Sequence, residues 1–302
     1  MWGRPNVRMS GDLVHAPSLA FPPAPGAALV VTVHDLFFRS HPELYPPRGV
    51  RFHERSLERL SQADLVICPS NATAEQLSLA QRAVPRERLR VVPMGTDLAA
   101  PGGETIDRVL AQLRLERPYV LWVGTVEPRK NLGGALRGFA HMLRSIPAGH
   151  RPRLCLAGPR GWEMKGPGEL IREAGLDDDA VLWLGNQPRS HLAALYAGAE
   201  AFLFPSLAEG FGLPVLEAMA CGTPVVTSRG TALSEIAGDA AILCDPTDPD
   251  SIGDALARVL EDVDLADALR RRGREQASRF TWERTARDTA ACYAAALEST
   301  KP

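Results

Sequence analysis

Residues 201–227 read AFLFPSLAEGFGLPVLEAMACGTPVVT, and this stretch decides the fold. Two short apolar runs, Ala201 to Phe204 and Pro224 to Thr227, flank a helical pattern from Pro214 to Ala220 that Gly222 closes. A strand, a helix and a second strand in such close succession predict a crossover unit of a parallel sheet. Pro214 suits the first helical position, where its missing N–H would be unpaired anyway. Gly210 and Gly212 leave the backbone uncluttered, so its N–H groups can approach an anion. The helix N-terminus then faces the C-terminal edge of the strand. Ligands of open α/β sheets bind at that edge, and amides together with the helix dipole favour a phosphate there.

Glu209 and Glu217 bracket this helix start. Carboxylates repel phosphate, so they are expected to accept hydrogen bonds from the vicinal hydroxyls of a ribose or hexose. The competing reading makes them capping and solvating residues of a helix. Two glycines, a proline and two carboxylates at defined offsets in nine residues favour the binding role.

A second loop of the same kind follows the apolar run Tyr119 to Val123: Gly124-Thr-Val-Glu-Pro-Arg129-Lys130-Asn131. Arg129 offers a planar fork for phosphate oxygens and Lys130 a point charge, so the pair can neutralise a departing diphosphate. An Arg-Lys pair in a loop is ordinarily solvated surface. Its position after a strand, like that of the first loop, is what raises it to a candidate site.

Outward from these loops, short apolar runs alternate with helical patterns, as in an α/β chain with helix-covered parallel sheets. Leu154 to Ala157, Val181 to Leu184 and Ala241 to Leu243 complete six strands of a doubly wound domain, with helices over Leu132–Ile146, His191–Ala197 and Ser251–Glu261. Upstream, Ala28 to Val33, Leu65 to Cys68 and Leu89 to Pro93 read as strands, preceded by Asp12 to His15, with helices over Val50–Gln62 and Thr73–Arg82. Leu98 to Thr105, LAAPGGET, lacks periodicity and reads as a linker. The expected division is 1–100, 101–280 and a closing helical segment 281–302. Repeats and low-complexity tracts are absent from the sequence.

The 302 residues carry a formal net charge of -2 with signs intermixed, which excludes an electrostatic footprint for nucleic acid. Five scattered cysteines without CxxC spacing argue against disulfides and zinc and for a reducing, cytoplasmic setting. Asp177 to Asp179 and Asp262 to Asp264 match a metal-binding DxD only formally. They fall at expected turns and helix starts, so they read as capping residues and no metal is expected. No apolar run reaches the roughly 20 residues of a membrane span. Arg39 and the arginines from Arg48 to Arg59 leave room for peripheral contact with the inner face of an anionic membrane.

Taken together, VGTVEPRKN, the GN at Gly185, and FPSLAEGFGLPVLEAMACGTPVV resemble the donor-binding motifs of retaining family 4 glycosyltransferases. VVTVHDL at 30–36, PSNAT at 69–73, VVPMGTD at 91–97 and FTWERTA at 280–286 resemble family segments in matching order, so the resemblance spans nearly the whole chain. It implies the GT-B fold of two Rossmann-like domains and a nucleotide-diphosphate sugar as co-substrate, without a cofactor. Arg129 and Lys130 match the diphosphate-binding pair, Glu217 the ribose-binding carboxylate, and Glu209 the glutamate beside the donor hexose. Gly124, Gly210, Phe211, Gly212 and Leu213 fall on the donor-contacting loops, while Gly185, Asn186 and Gln187 match the loop beside the base. His34 matches a histidine near the reacting sugar, although a lone histidine after a strand is ordinarily a packed residue.

The implied activity is transfer of a hexose to a glycan or lipid-linked acceptor with retention of configuration, the VTVHDL wording favouring GDP-mannose over UDP- and dTDP-hexoses. Against the family pattern the first domain looks truncated, lacking the early glycine-rich loop. That keeps open a non-catalytic form that binds a nucleotide sugar or a partner, and a sugar-nucleotide epimerase of the same shape stands behind it.

Overall fold

The computed structural model describes residues 11–21, 24–80, 84–147, 149, 151–162 and 165–299, apart from the side chain of Asp178. Its contacts divide the chain into two compact units, 1–95 with 280–302, and 96–279.

In the first unit, β1 (Leu13–Ala16), β2 (Ala28–Thr32), β3 (Leu65–Cys68) and β4 (Leu89–Val91) pair in that order, all parallel. The expected strands end at Val33 and Pro93. The regular ladder stops earlier, although the Val33 and Val92 amides still donate to Ile67 and Cys68 at 2.9 Å. The alternating side chains of these strands point to opposite faces, and both faces are covered. Val14, Leu29, Val31 and Val66 pack with Leu57, Leu60 and Leu77 from the side of α2 (Pro47–Glu58) and α3 (Asn71–Ala80), joined by Phe38 of the short α1 (Phe37–Ser40). Ala28, Val30, Leu65 and Ile67 pack on the other side with Cys292 and Ala296 of α12 (Trp282–Ser299). Residues 81–82 of the helix expected over 73–82 lie outside the described residues. Helix α2 exposes Arg48, Arg51, Phe52 and Arg55 along one stripe. Among the described residues no helix is long and apolar enough to cross a membrane.

The second unit holds a six-stranded parallel sheet built from β5 (Tyr119–Val123), β6 (Arg153–Ala157), β7 (Val181–Gly185), β8 (Ala201–Phe204), β9 (Val225–Ser228) and β10 (Ala241–Cys244). Their order is β10-β9-β8-β5-β6-β7. Four of these strands, β9, β8, β5 and β6, have interior positions, which explains the runs of Val, Leu and Phe without polar alternation. All five residues of β5 and all four of β8 and β9 are buried. Helices α4 (Gly103–Gln112), α5 (Leu132–Ser145), α6 (Pro167–Glu173), α7 (Arg189–Gly198), α8 (Leu213–Ala220), α9 (Ala232–Ala237), α10 (Pro249–Glu261) and α11 (Val263–Ala277) cover it. The expected linker over 98–105 is cut short because α4 starts at Gly103, behind Gly102 as its cap residue. Strand order reverses between β5 and β8, so the chain leaves their C-terminal ends in opposite directions and opens a crevice there.

One glycine is indispensable at this edge. Gly158, just past β6, has φ +148°, and a Cβ there would lie 1.9 Å from the carbonyl oxygen of Gly124. Its amide donates to Gly185 at 2.7 Å, while the Gly124 amide donates to Ala157 at 3.0 Å. Gly158→Ala must therefore push the loop after β5 away, and it is expected to cost about 2 to 4 kcal/mol of stability. Thermal unfolding checks this, with Gly49→Ala of α2 as control: nothing lies within 4 Å of that added Cβ, and a helical alanine there should leave the Tm unchanged or raise it slightly.

Candidate functional site

The crevice between β5 and β8 is walled by two loops, 124–131 and 205–212. The first is zipped to the loop after β6: Val126 donates to Pro159 at 3.0 Å and Gly161 donates to Val126 at 3.1 Å. It then winds into a short 3-10 turn, Pro128–Lys130, and ends on Asn131 in a left-handed conformation, φ 54°. Asparagine tolerates this backbone better than most side chains and caps the following helix with its own oxygen. Asn131 Oδ1 accepts from the Gly134 amide at 3.2 Å, and Nδ2 donates to the carbonyls of Pro205 at 2.9 Å and Pro246 at 2.7 Å. One amide thus ties the first loop to the start of α5, to the second loop and to the loop after β10. The sequence reading quotes Asn131 only as part of a motif. An asparagine directly before an amphipathic pattern is the signal that marks it as a cap.

The second loop is pinned from below by Ser206, which is fully buried. Its hydroxyl faces Glu209 Oε1 and the Arg129 carbonyl, both at 2.9 Å, and Ser228 donates to the Ser206 carbonyl at 2.6 Å. The Leu207 amide donates to the Arg129 carbonyl at 2.9 Å, so the loops are also joined by backbone. Gly210 and Phe211 are buried, and Gly212 enters α8 with φ +110°. A Cβ on Gly212 would meet Leu233 Cδ2 at 2.3 Å, so close packing demands this glycine in addition to any ligand. Helix α8 begins at Leu213, which puts Pro214 second rather than first. The N–H at that position also lacks an intrahelical acceptor, so the proline is equally well tolerated.

Two cations and two anions close the crevice. Arg129 reaches Glu209 Oε2 with Nη1 at 2.8 Å and Glu127 Oε1 with Nη2 at 2.6 Å. Lys130 Nζ lies 2.5 Å from Glu209 Oε1 and 4.9 Å over the ring of Phe204. Glu127 is 4% exposed and Lys130 9%, so these charges stand largely out of water. Burial pulls the Lys130 ammonium below its ordinary range, with Arg129 adding to the effect and Glu209 opposing it. Burial likewise pushes the Glu127 carboxyl up against the opposing pull of Arg129 and Lys130. The structure thus brings Arg129, Lys130 and Glu209 together as the sequence expects and adds Glu127, two positions before Arg129. Glu209 meets cations here.

Glu217 occupies a second set of contacts on the buried face of α8. Its Oε1 lies 3.4 Å from Arg189 Nη1 and its Oε2 3.4 Å from the hydroxyl of the fully buried Tyr196, both on α7. Arg189 Nη2 also pairs with Asp97 Oδ1. Burial raises the Glu217 carboxyl, Asp97 adds to the shift, and Arg189 and Tyr196 oppose it. Gly185 ends β7, its carbonyl accepting from Gly158, and in the loop that follows Gln187 donates to the Leu184 carbonyl at 2.7 Å and meets His191 Nδ1 at 3.1 Å. Asn186 is exposed.

His34 belongs to the first unit and shares no element with these loops. It is exposed after β2, with Nε2 at 2.9 Å from the Pro17 carbonyl. His15 on β1 was not foreseen: Nδ1 meets the Tyr293 hydroxyl at 2.7 Å and Nε2 meets Thr32 Oγ1 at 2.8 Å. Burial, and then the nearby His34, lower its pKa. Of the two formal DxD pairs, Asp262 caps α11 by accepting from Leu265 at 2.9 Å, and Asp177 precedes a 3-10 turn. Among the described residues no group of three or more His, Cys, Asp or Glu side chains stands ready to hold a metal.

Residues 105–276 match the family described as glycosyl transferases group 1, and residues 10–100 match glycosyltransferase family 4. The O-antigen chain mannosyltransferase B of Escherichia coli is 36% identical over 284 residues, covering 93% of this chain and 74% of that protein. The D-inositol 3-phosphate glycosyltransferase of Kribbella flavida is 33% identical over 264 residues, covering 84% of this chain, which spans 61% of that relative's length. Among solved structures, sucrose-phosphate synthase from Thermosynechococcus elongatus superposes with a TM-score of 0.74 at 26% identity, covering 96% of this chain and 74% of that one. HepE from Anabaena, solved with UDP and glucose, shares the fold with a TM-score of 0.73 at 21% identity, covering 89% of this chain and 72% of that one. The family matches extend over both units and enclose every residue of the crevice described above, and the chain therefore belongs to the glycosyl transferases group 1, as an α/β protein of the GT-B fold class.

Proposed function

We propose that the chain transfers a hexose, with mannose as first choice, from a nucleotide-diphosphate sugar to a glycan or lipid-linked acceptor, retaining anomeric configuration and using no metal ion. The observation that carries this reading is the buried cluster of Arg129, Lys130, Glu127 and Glu209 in the crevice at the strand-order reversal. Two cations held at the C-terminal edge of a parallel sheet suit a diphosphate. When a donor enters, its oxygens take over Arg129 and Lys130, and Glu209 is released toward the hydroxyls of the sugar. Glu217 accepts the ribose diol. Gly124, Gly185, Asn186, Gln187, Gly210, Phe211, Gly212 and Leu213 line the donor by their backbone or loop position, and His34 is assigned to the reacting sugar on the family resemblance alone. Similarity to the O-antigen chain mannosyltransferase supports mannose, and hence GDP as the leaving group.

Breaking the sugar–phosphate bond puts negative charge on the diphosphate and positive character on the sugar. Arg129 and Lys130 gain most from the former, so they stabilise the transition state more than the bound donor. In retaining transfer, a double displacement would require a free carboxylate at the anomeric carbon. The motifs nominate no such carboxylate, and Glu209, once released, is engaged by the hydroxyls of the sugar, which favours same-face attack assisted by the leaving phosphate.

Calorimetric titration against GDP-mannose, UDP-glucose and GDP in EDTA tests the reading. Saturable binding of one nucleotide is expected, lost in Arg129→Ala, whose transfer rate should also fall by about 100- to 1000-fold. Binding that requires a divalent ion, or that survives Arg129→Ala unchanged, would refute it.

A pH experiment probes Glu217 separately. Because burial raises its carboxyl, the folded chain holds that proton more tightly than the unfolded chain. The group then adds stability at low pH that is lost as pH rises through the folded value. Glu217→Gln stays neutral, so its Tm should exceed that of the unsubstituted chain near pH ~8, the gap closing toward pH ~4, while nucleotide binding weakens. A gap that does not depend on pH would contradict this assignment.

A further inference from the structure

Glu217 is held by an arrangement that its family role does not require. Its two oxygens are each approached at 3.4 Å, one by the Arg189 guanidinium and the other by the Tyr196 hydroxyl. Both contacts are long beside the roughly 2.7 to 2.9 Å of a strong charge-assisted hydrogen bond, so neither saturates the carboxylate. Arg189 is held closely at its other nitrogen by Asp97. Its side chain is 54% exposed, whereas that of Glu217 is 10% exposed. The arginine therefore stands nearer solvent than Glu217, paired through one nitrogen with the exposed Asp97 and turning its other toward the buried carboxylate.

Arg189 is also the first residue of α7, two positions beyond Gln187 of the loop nominated for the base. Asp97 comes from the segment ahead of α4. The contact thus joins three segments far apart in sequence around one acidic group, and no sequence spacing announces it.

We propose that Arg189 is a positioning residue for donor binding: anchored on Asp97, it holds the Glu217 carboxylate with its oxygens open to a ribose 2′,3′-diol. This rests on the reading of Glu217 as the ribose carboxylate. The long contact leaves lone pairs on Oε1 for a hydroxyl, so Arg189 supports the diol without having to leave. The groups facing Glu217 are Arg189 and Tyr196 of α7, Asp97, and Cys221 at the end of its own helix. Arg274 of α11 packs against Gly222 at the far end of α8. Arg189 is the cation in this set. Without it, burial and Asp97 act on Glu217 unopposed except by Tyr196, and the carboxyl is pushed further up. A protonated carboxyl accepts from a diol less strongly than a carboxylate does.

The test is calorimetric titration of the full chain with GDP and UDP and with their 2′,3′-dideoxy forms, near pH ~6 and pH ~8. For the nucleotide that binds, Arg189→Ala should weaken the ribose form by up to about ten-fold near pH ~6 and hardly at all near pH ~8. The dideoxy form should be unaffected at both, Arg189→Lys should restore most of the loss, and Arg189→Ala should add nothing in a Glu217→Ala background. Equal loss of ribose and dideoxy forms in Arg189→Ala would overturn the proposal by placing the arginine on phosphate or base, as would no loss at either pH. If Glu217→Ala itself binds both sugar forms as the unsubstituted chain does, the ribose assignment of Glu217 fails, and this proposal fails with it. Binding of neither nucleotide refutes the nucleotide site itself.

Discussion

Burial of the Lys130 ammonium is the constraint on which the rest of the site depends. A charge taken out of water must be paired closely, and leaving one partner alone costs several kcal/mol. Lys130 meets this demand through Glu209 at 2.5 Å, and Glu209 is shared with Arg129, which is shared in turn with Glu127. The four formal charges of the cluster cancel one another. Such a cluster is poor at adding stability compared with apolar packing of the same volume. On the proposed function, the cluster is a store of charge that a diphosphate takes over, cation by cation.

Holding that cluster requires two loops from distant parts of the chain to keep a fixed separation. Three side chains and one glycine do most of this. Asn131 bonds the carbonyls of Pro205 and Pro246, Ser206 lies under Glu209 and the Arg129 carbonyl, and Ser228 holds Ser206 in turn. Gly158 lets the loop after β6 approach Gly124 closely enough to brace the first loop from its other side. All of them are uncharged and none is a candidate for chemistry. Through them the buried sheet, with β5 and β8 fully covered, is transmitted to the geometry of charged groups at its edge.

Much of this was legible in the residues. Strands buried on both faces announce themselves as apolar runs, which is why β5, β8 and their neighbours fall within a residue or so of their expected limits. The motif glycines and charges could be placed because each loop follows such a strand. Partner choice was not legible. Glu127 and Glu209 are equivalent as letters, and only the fold shows that both meet Arg129. Asp97, Arg189 and Tyr196 converge on Glu217 from α7 and from the segment before α4, a proximity that depends on helix packing and not on local spacing. The linker was overdrawn because Gly102 and Gly103 read as breakers, while in the fold they begin a helix. His15, bonded to Tyr293 across 278 positions, likewise leaves no local trace.

The central claim is that the Arg129–Lys130–Glu209 cluster opens to receive the diphosphate of a sugar donor. A crystal structure of the chain grown with GDP-mannose in EDTA addresses this directly. The expected result has the diphosphate oxygens on Arg129 and Lys130, Glu209 turned from both cations toward the hexose, and Glu217 on the ribose diol. A nucleotide bound elsewhere, with both cations still paired to Glu209, would contradict it.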